Sequence, residues 1–178
     1  MFPMKTPAQP ASDPQDQVTA LSHLTADGQS SRMVDVGGKP ETRRRALAAA
    51  RIRFPAGVLG PILAGGGPKG PIQEVARVAG ILAAKRTGEL IPMCHPLGLD
   101  HVEVTFEALG DDLLGVRAEA SCTGRTGVEM EALTACSVAA LTVYDMTKAV
   151  AKGIVIEDLA LLEKDGGKGG PWRREPGI

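Results

Sequence analysis

The chain has almost no aromatic surface. Aromatic residues make up 3% of its 178 positions, with one Trp and one Tyr. A nucleic-acid platform that stacks successive bases on rings is therefore excluded. An excess of one charge is missing too: 20 Lys+Arg stand against 21 Asp+Glu, a net charge of -1. No global field draws such a chain to nucleic acid or to an anionic membrane, so any anionic ligand needs a local cluster of cations. No run approaches the roughly 20 apolar residues of a membrane-spanning helix. The opening MFPMKTPAQPASDPQDQV has Pro, Asp and Gln where a signal peptide needs an apolar core. A cytoplasmic location is the expectation. Cys94, Cys122 and Cys136 form no Cys-x-x-Cys pair, which argues against a zinc ribbon. Their odd number and wide spacing fit a reducing compartment without a disulfide framework.

What is present is small and apolar. The length suits one domain with a proper core. Residues 1–20 read as a flexible tail, 21–165 as a single domain, and the Gly-, Pro- and charge-rich 166–178 as a mobile C-terminal segment unless a ligand or partner orders it. The stretch SCTGRTGVEMEALTACSVAALTVYDMTKAVAK, Ser121 to Lys152, organises the rest. Glu129 and Glu131 stand two apart, then a long small-residue apolar run leads to Asp145 and Lys148, three apart. Residues i and i+2 share a face of a strand but not of a helix, whereas i and i+3 share a helical face. If both glutamates serve one site, Gly127 to Glu131 must be extended. If Asp145 and Lys148 serve one site, that part must be helical.

Along the chain, Asp35 sits between two valines ahead of Gly37 and Gly38, where the plain reading is a turn carboxylate. ETRRRALAAARIRF alternates with period 2 and predicts a strand despite the helix propensity of alanine. Arg44 falls on its apolar parity, which leaves two readings open: a paired cap on the core, or the lining of a polar pocket. Ala56 to Gly65 reads as a helical turn or two broken by Pro61. GGGPKGP lacks the order of a phosphate-binding P-loop and by itself is a loop carrying one cation, Lys69. Ile72 to Arg86 is a helix with Val75, Val78, Ala79 and Leu82 at 3 to 4 spacing and Gly88 as its C-terminal cap. Pro92 and Pro96 bracket Met93, Cys94 and His95 in a stiff extended loop. HVEVTFEAL and LLGVRAEASC form a hairpin across Asp111 and Asp112. The organising helix stops at Gly153, and Ile154 to Leu162 is a last strand. This order gives two β-α-β units around a central hairpin: an α+β, ferredoxin-like fold, an open antiparallel sheet with helices on one face. Its other face and its surplus of small apolar residues suggest a subunit partner.

Four blocks, MVDVGGKPETRR, AGILAAKRTGELIPMCHPL, TGVEMEALTACSVAALTVYDMTKAV and LLEKDGGKGG, closely resemble the MoaC family, the cyclic pyranopterin monophosphate synthases of molybdenum cofactor biosynthesis. The resemblance spans roughly Leu21 to Arg173. It implies a ferredoxin-like lyase that assembles as a homohexamer, a trimer of dimers, with sites at subunit interfaces. The implied reaction converts 3′,8-cyclo-7,8-dihydroguanosine 5′-triphosphate to cyclic pyranopterin monophosphate and releases pyrophosphate, downstream of a radical-SAM GTP cyclase. Nucleic acid and membrane are not implied as partners. No cofactor or protein-bound metal is required, with Mg²⁺ on the substrate phosphates an open alternative. By motif, Asp145, Lys148 and Lys69 match the family's catalytic residues. Met93, Cys94, His95, Met130 and Glu131 match its substrate-binding segments. Asp35, Arg44, Glu129 and Lys168 fall at positions that line the pocket. Where the family commonly has Lys-Gly-Asp, this chain has Lys69-Gly70-Pro71.

The residue types suit that chemistry. A triphosphate needs local cations, which Lys69, Lys148, Arg44 and Lys168 can supply. Rebuilding a purine ring as a pterin and closing a cyclic phosphate take several proton transfers, for which carboxylates and amines serve. Lysines crowded by other cations can have a lowered pKa and act as acid or base. Two other classes compete: a metal-dependent hydrolase using His95, Glu129 and Glu131, and a ligand-binding regulatory module without chemistry.

Overall fold

The computed structural model describes residues 31–175. Residues 1–20, read as a tail, lie outside them, as do 21–30 and 176–178. The chain divides into two units, Met1–Val34 and Asp35–Ile178, and the second holds the elements that follow.

Strand β1 (Thr42–Arg53) comes first, then helices α1 (Leu59–Gly65), α2 (Ile72–Lys85) and α3 (Thr87–Leu90). The hairpin β2 (His101–Gly110) and β3 (Leu113–Gly124) follows, then helix α4 (Glu129–Thr147), β4 (Val155–Asp165) and the short β5 (Trp172–Arg173). The sheet order is β2-β3-β1-β4-β5, antiparallel throughout. That is the ferredoxin-like α+β plan with one added edge strand.

β1 is a strand because its alternation outweighs alanine's helix preference. Ala46, Ala48, Ala50 and Ile52 are buried on one face. They meet Ala118, Ala120, Val116 and Leu114 of β3, all buried. Alanine here lets α4 lie close on the sheet: Ala132, Ala135, Cys136, Ala139 and Ala140 have no exposed surface. On the opposite face three of the four β1 arginines are matched across strands. Arg45 reaches Glu119 at 2.6 Å and Glu163 at 3.1 Å, and Arg51 reaches Asp158 at 2.9 Å. Arg53 pairs with Glu157. These pairs are partly solvated, so they set register more than they add stability.

Helix α2 turns the other way from the expected one. The 3 to 4 spacing predicts Val75, Val78 and Leu82 facing the core, yet these are about half exposed, at 43%, 55% and 49%. The buried stripe is Ile72, Ala76, Gly80, Ala83 and Ala84. A Cβ on Gly80 would stand 2.8 Å from the Ala135 carbonyl oxygen of α4. Close helix contact selects the small residues and leaves the large ones outside.

Several boundaries differ from expectation. α4 is already helical at Glu129, so the stretch from Gly127 to Glu131 is not extended throughout. It ends at Thr147 rather than at Gly153, with Lys148 as its C-cap. Gly88 lies inside α3 instead of capping α2; Arg86 caps α2. Pro61 does not break α1, because it stands in the first turn, where a missing N–H costs little. Ile91 to Cys94 closes a turn, Cys94 N–H to Ile91 C=O at 3.0 Å, before the chain extends.

Candidate active site

Most of the expected site residues lie near the two ends of α4. At the C-terminal end the Gly-rich loop folds into a tight turn, with paired backbone bonds between Gly67 and Gly70 of 3.2 and 3.0 Å. Gly67 is needed there, since a Cβ would collide with the side chain of Ile72. Pro71 ends the turn as the N-cap of α2 with φ -72°, a backbone angle that proline supplies. The turn delivers Lys69, whose Nζ lies 2.7 Å from Asp145 Oδ2 and 3.2 Å from the Asp145 carbonyl oxygen. Lys148 Nζ lies 2.7 Å from Asp145 Oδ1, the i, i+3 contact that a helix provides. One carboxylate thus holds two ammonium groups, and all three side chains are about half exposed.

The charges follow from that geometry. Hydrogen bonds from Lys148 and then Lys69 pull the Asp145 carboxyl from its ordinary 3.8 down to about 2. The same contact raises the Lys148 ammonium above its usual value. Crowding would lower a lysine; Lys148 goes the other way because its nearest neighbour is an acid.

The N-terminal end is built differently. Glu131 is buried at 3% exposure, and burial pushes its carboxyl up, with the charge of Glu129 adding to the rise. Glu129 and Glu131 diverge on the helix. Glu129 folds back over Gly127, where a Cβ would overlap its carboxylate, and its Oε1 lies 3.3 Å from Lys164 Nζ. Met130 is 36% exposed. The Met93–His95 turn comes to this end: burial raises the Cys94 thiol, and the Glu131 charge raises it further. Its far end is pinned by Asp100, which accepts Thr123 N–H at 2.9 Å and donates its own N–H to Ser121 C=O at 2.9 Å.

Arg44 stands opposite Cys122 in the β1–β3 register. Burial raises the Cys122 thiol first; Asp100 and Glu131 raise it, while Arg44 opposes them. Arg44 Nε donates to Gly124 C=O at 3.4 Å. Lys168 is exposed in the turn that follows β4. Asp35 caps its own loop, with Gly37 N–H on Oδ1 at 2.8 Å, and Arg125 ties that loop down by donating to Gly37 C=O at 3.3 Å. That is the turn role its sequence suggests.

Asp100, Cys122 and Lys164 join this end without having been picked out from sequence. Only strand register could have flagged Cys122, through its place opposite Arg44. Lys164 was visible in the block LLEKDGGKGG, but its partner was not. Among the described residues no three His, Cys, Asp or Glu side chains gather to hold a metal ion.

Comparison with known proteins falls on the same segments. A family model described as the MoaC family matches residues 33–167. A cyclic pyranopterin monophosphate synthase from Novosphingobium aromaticivorans is 56% identical over 153 residues, 86% of this chain and 96% of that protein. One from Chloroflexus aggregans is 53% identical over 159 residues, 89% of this chain and 96% of that protein. With a family model over most of its length and relatives above half identity, the chain belongs to the MoaC family.

Proposed function

We propose that this chain is a cyclic pyranopterin monophosphate synthase. In this reading it converts 3′,8-cyclo-7,8-dihydroguanosine 5′-triphosphate to cyclic pyranopterin monophosphate and releases pyrophosphate, as a lyase of molybdenum cofactor biosynthesis. Within the family assignment, the observation that carries the reading is the meeting of Lys69 and Lys148 on Asp145. Both ammonium groups are exposed and fixed by one carboxylate, so they face an incoming anion without having to be ordered first.

The chemistry follows from charge. In the cyclisation a substrate hydroxyl loses its proton and bonds to the α-phosphorus while the P–O bond to pyrophosphate breaks, so negative charge builds on the leaving oxygen. Lys148, held as an ammonium by Asp145, stabilises that charge and can supply a proton to it. Lys69 comes from a separate loop and contacts the same carboxylate. Glu131, whose buried carboxyl resists ionisation, suits a group that donates a proton or a hydrogen bond to the rearranging ring. Any Mg²⁺ would ride on the substrate phosphates.

The site is shared between subunits in this reading. Glu131 and Asp145 are fourteen residues apart on α4, about 21 Å at the rise of an α-helix. A single nucleotide touching both kinds of group takes one end from each of two copies. The exposed Val75, Val78 and Leu82 of α2 and Leu141 of α4 support an apolar contact between copies. In this reading the assembly is a homohexamer built as a trimer of dimers. The substrate would come from a radical-SAM GTP cyclase, in the cytoplasm; no helix of the described residues is long and apolar enough to cross a membrane.

The test supplies the cyclic dihydro-GTP substrate to purified protein and follows pyrophosphate and the fluorescent oxidised pterin together. Both should appear in equal amounts. Intact, bound substrate with neither product would sink the synthase reading and leave a binding module.

A further inference from the structure

Arg45, Arg51 and Arg53 on the outer face of β1 are each matched by a carboxylate. Arg44, on the inner face, forms no ion pair among the described residues. Its guanidinium is enclosed by backbone instead. Gly124 C=O receives Nε, and the turn after β4 closes over the head group. Gly166 and Gly167 both adopt left-handed backbone, φ +98° and +81°.

The two glycines are needed for different reasons. A Cβ on Gly166 would run into the carbonyl oxygen of Arg43 first and would also stand 2.9 Å from Cδ of Arg44. That carbonyl belongs to β1 and cannot move without disturbing the sheet, so Gly166 serves the fold. A Cβ on Gly167 would run into Nη1 of Arg44, with Cζ at 2.9 Å and Nη2 at 3.2 Å. The guanidinium lies with its head against the bare backbone of that residue. What would yield to the collision is the far end of a flexible side chain, so the collision falls on where Arg44 points; the backbone strain of a side chain at left-handed φ comes in addition and is shared by Gly170 in the same turn.

We infer that Gly167 is a positioning residue: its lack of a side chain fixes the Arg44 guanidinium as a receptor for a phosphate-class anion of the substrate. The inference rests on the synthase reading for the identity of that substrate. A guanidinium held by peptide groups rather than by an acid keeps its full charge for an external anion. Holding it in place beforehand removes part of the ordering cost of binding. Lys168, the next residue, is exposed beside it and adds a second cation to the same turn.

The test measures binding of inorganic pyrophosphate by calorimetry, alongside kcat and KM for the cyclic dihydro-GTP, on the assembled protein. Gly167→Ala and Arg44→Ala should each weaken pyrophosphate binding about tenfold, the size of one charge-assisted contact, with KM raised more than kcat is lowered. The double variant should bind no more weakly than Arg44→Ala, because Gly167 acts through that side chain. Gly170→Ala is the control. Gly170 shares the turn and a left-handed φ of +66°, but a Cβ there meets nothing within 4 Å, so binding should stay at the wild-type level.

Wild-type affinity in Gly167→Ala would overturn the inference. So would an undiminished effect of Gly167→Ala on top of Arg44→Ala, an equal loss in Gly170→Ala, or a wild-type protein that does not bind pyrophosphate. If Gly167→Ala does not fold, Arg44→Lys takes its place. Lysine keeps the charge but not the fork, and binding as tight as wild type would again overturn the receptor. The calorimetry needs no turnover. A wild type that never forms product sinks the synthase reading, whereas turnover with additive variants sinks only the role of Gly167.

Discussion

The two ends of α4 treat charge in opposite ways. At the C-terminal end, Asp145 is half exposed and stays ionised, its carboxyl held down to about 2 by two ammonium groups. At the N-terminal end, Glu131 is buried and its carboxyl is pushed up, as are the thiols of Cys94 and Cys122 beside it. The exposed end offers fixed charge; at the other, the buried acid and thiols resist ionisation, beside the partly solvated Glu129–Lys164 pair and the Arg44 guanidinium. A reaction that both expels a polyphosphate and shuttles protons through a ring needs both environments. A helix of small residues packed on a sheet keeps them a fixed distance apart.

The largest effect should come from the charged end. Lys148→Ala and Lys69→Ala should each lower kcat by about 10²- to 10⁴-fold, the range for a lost acid or charge stabiliser. The melting temperature should hardly move, because the contacts are solvated. Product formation at wild-type rates in both variants would remove the triad from the mechanism. A loss confined to one of them would assign proton transfer to that amine and leave the other as a phosphate contact.

The buried end should answer with activity and stability moving in opposite directions. Burial raises the folded pKa of Glu131 above its ordinary 4.5. Its contribution to stability is therefore complete below that value and is lost as pH rises through the folded pKa. Glu131→Gln keeps the shape and cannot ionise. The variant should lose kcat about tenfold or more, as a missing proton donor would. Its melting temperature should gain on the wild type as pH is raised from 4 to 8. A variant less stable than wild type at pH 8 would show that Glu131 is a paired anion, and the contrast between the ends would collapse.

Much of this was legible in the chain. The alternation of alanine and arginine marks β1, the Asp111–Asp112 turn marks the hairpin, and the i, i+3 spacing of Asp145 and Lys148 requires the helix on which they meet. The side on which α2 packs was not legible. Val75, Val78 and Leu82 recur with the same period as Ala76, Gly80 and Ala83, and bulk favours burying the valines. What decides is the closeness of α4, which no local pattern contains. Strand β5 was missed because two residues, Trp172 and Arg173, are too few to show a period. Lys69 reads as an ordinary loop lysine until a contact 76 residues away gives it a partner. Motif resemblance supplied its importance; the fold supplies the reason.

The rod between the two ends can be tested apart from either. Gly80→Ala puts a Cβ 2.8 Å from the Ala135 carbonyl oxygen and 3.1 Å from the Val104 side chain. Overpacking costs about 1 to 3 kcal/mol, against about 1 kcal/mol of helix propensity gained. A net loss of about 1 kcal/mol in urea unfolding is expected, with kcat nearly intact because α4 stays seated on the sheet. A stabilised variant would mean that α2 has room to move away from α4 and that the contact does not set the spacing.

The smallest effect concerns what holds the charged end together. Asp145 has a lowered folded pKa, so its stabilising contribution is present above 3.8 and is lost as pH falls toward about 2. The group is solvated, so at neutral pH Asp145→Asn should melt close to the wild type. The difference between the two should lie in the acid limb, where the wild type alone loses a carboxylate. Salt should act in the same direction: screening weakens solvated pairs, so raising ionic strength should raise KM for the anionic substrate while leaving the melting temperature nearly constant. A melting temperature that drops steeply for Asp145→Asn at neutral pH would mean that the triad is structural. The exposed end would then be a clasp between the Gly-rich loop and α4, rather than charge held ready for a ligand.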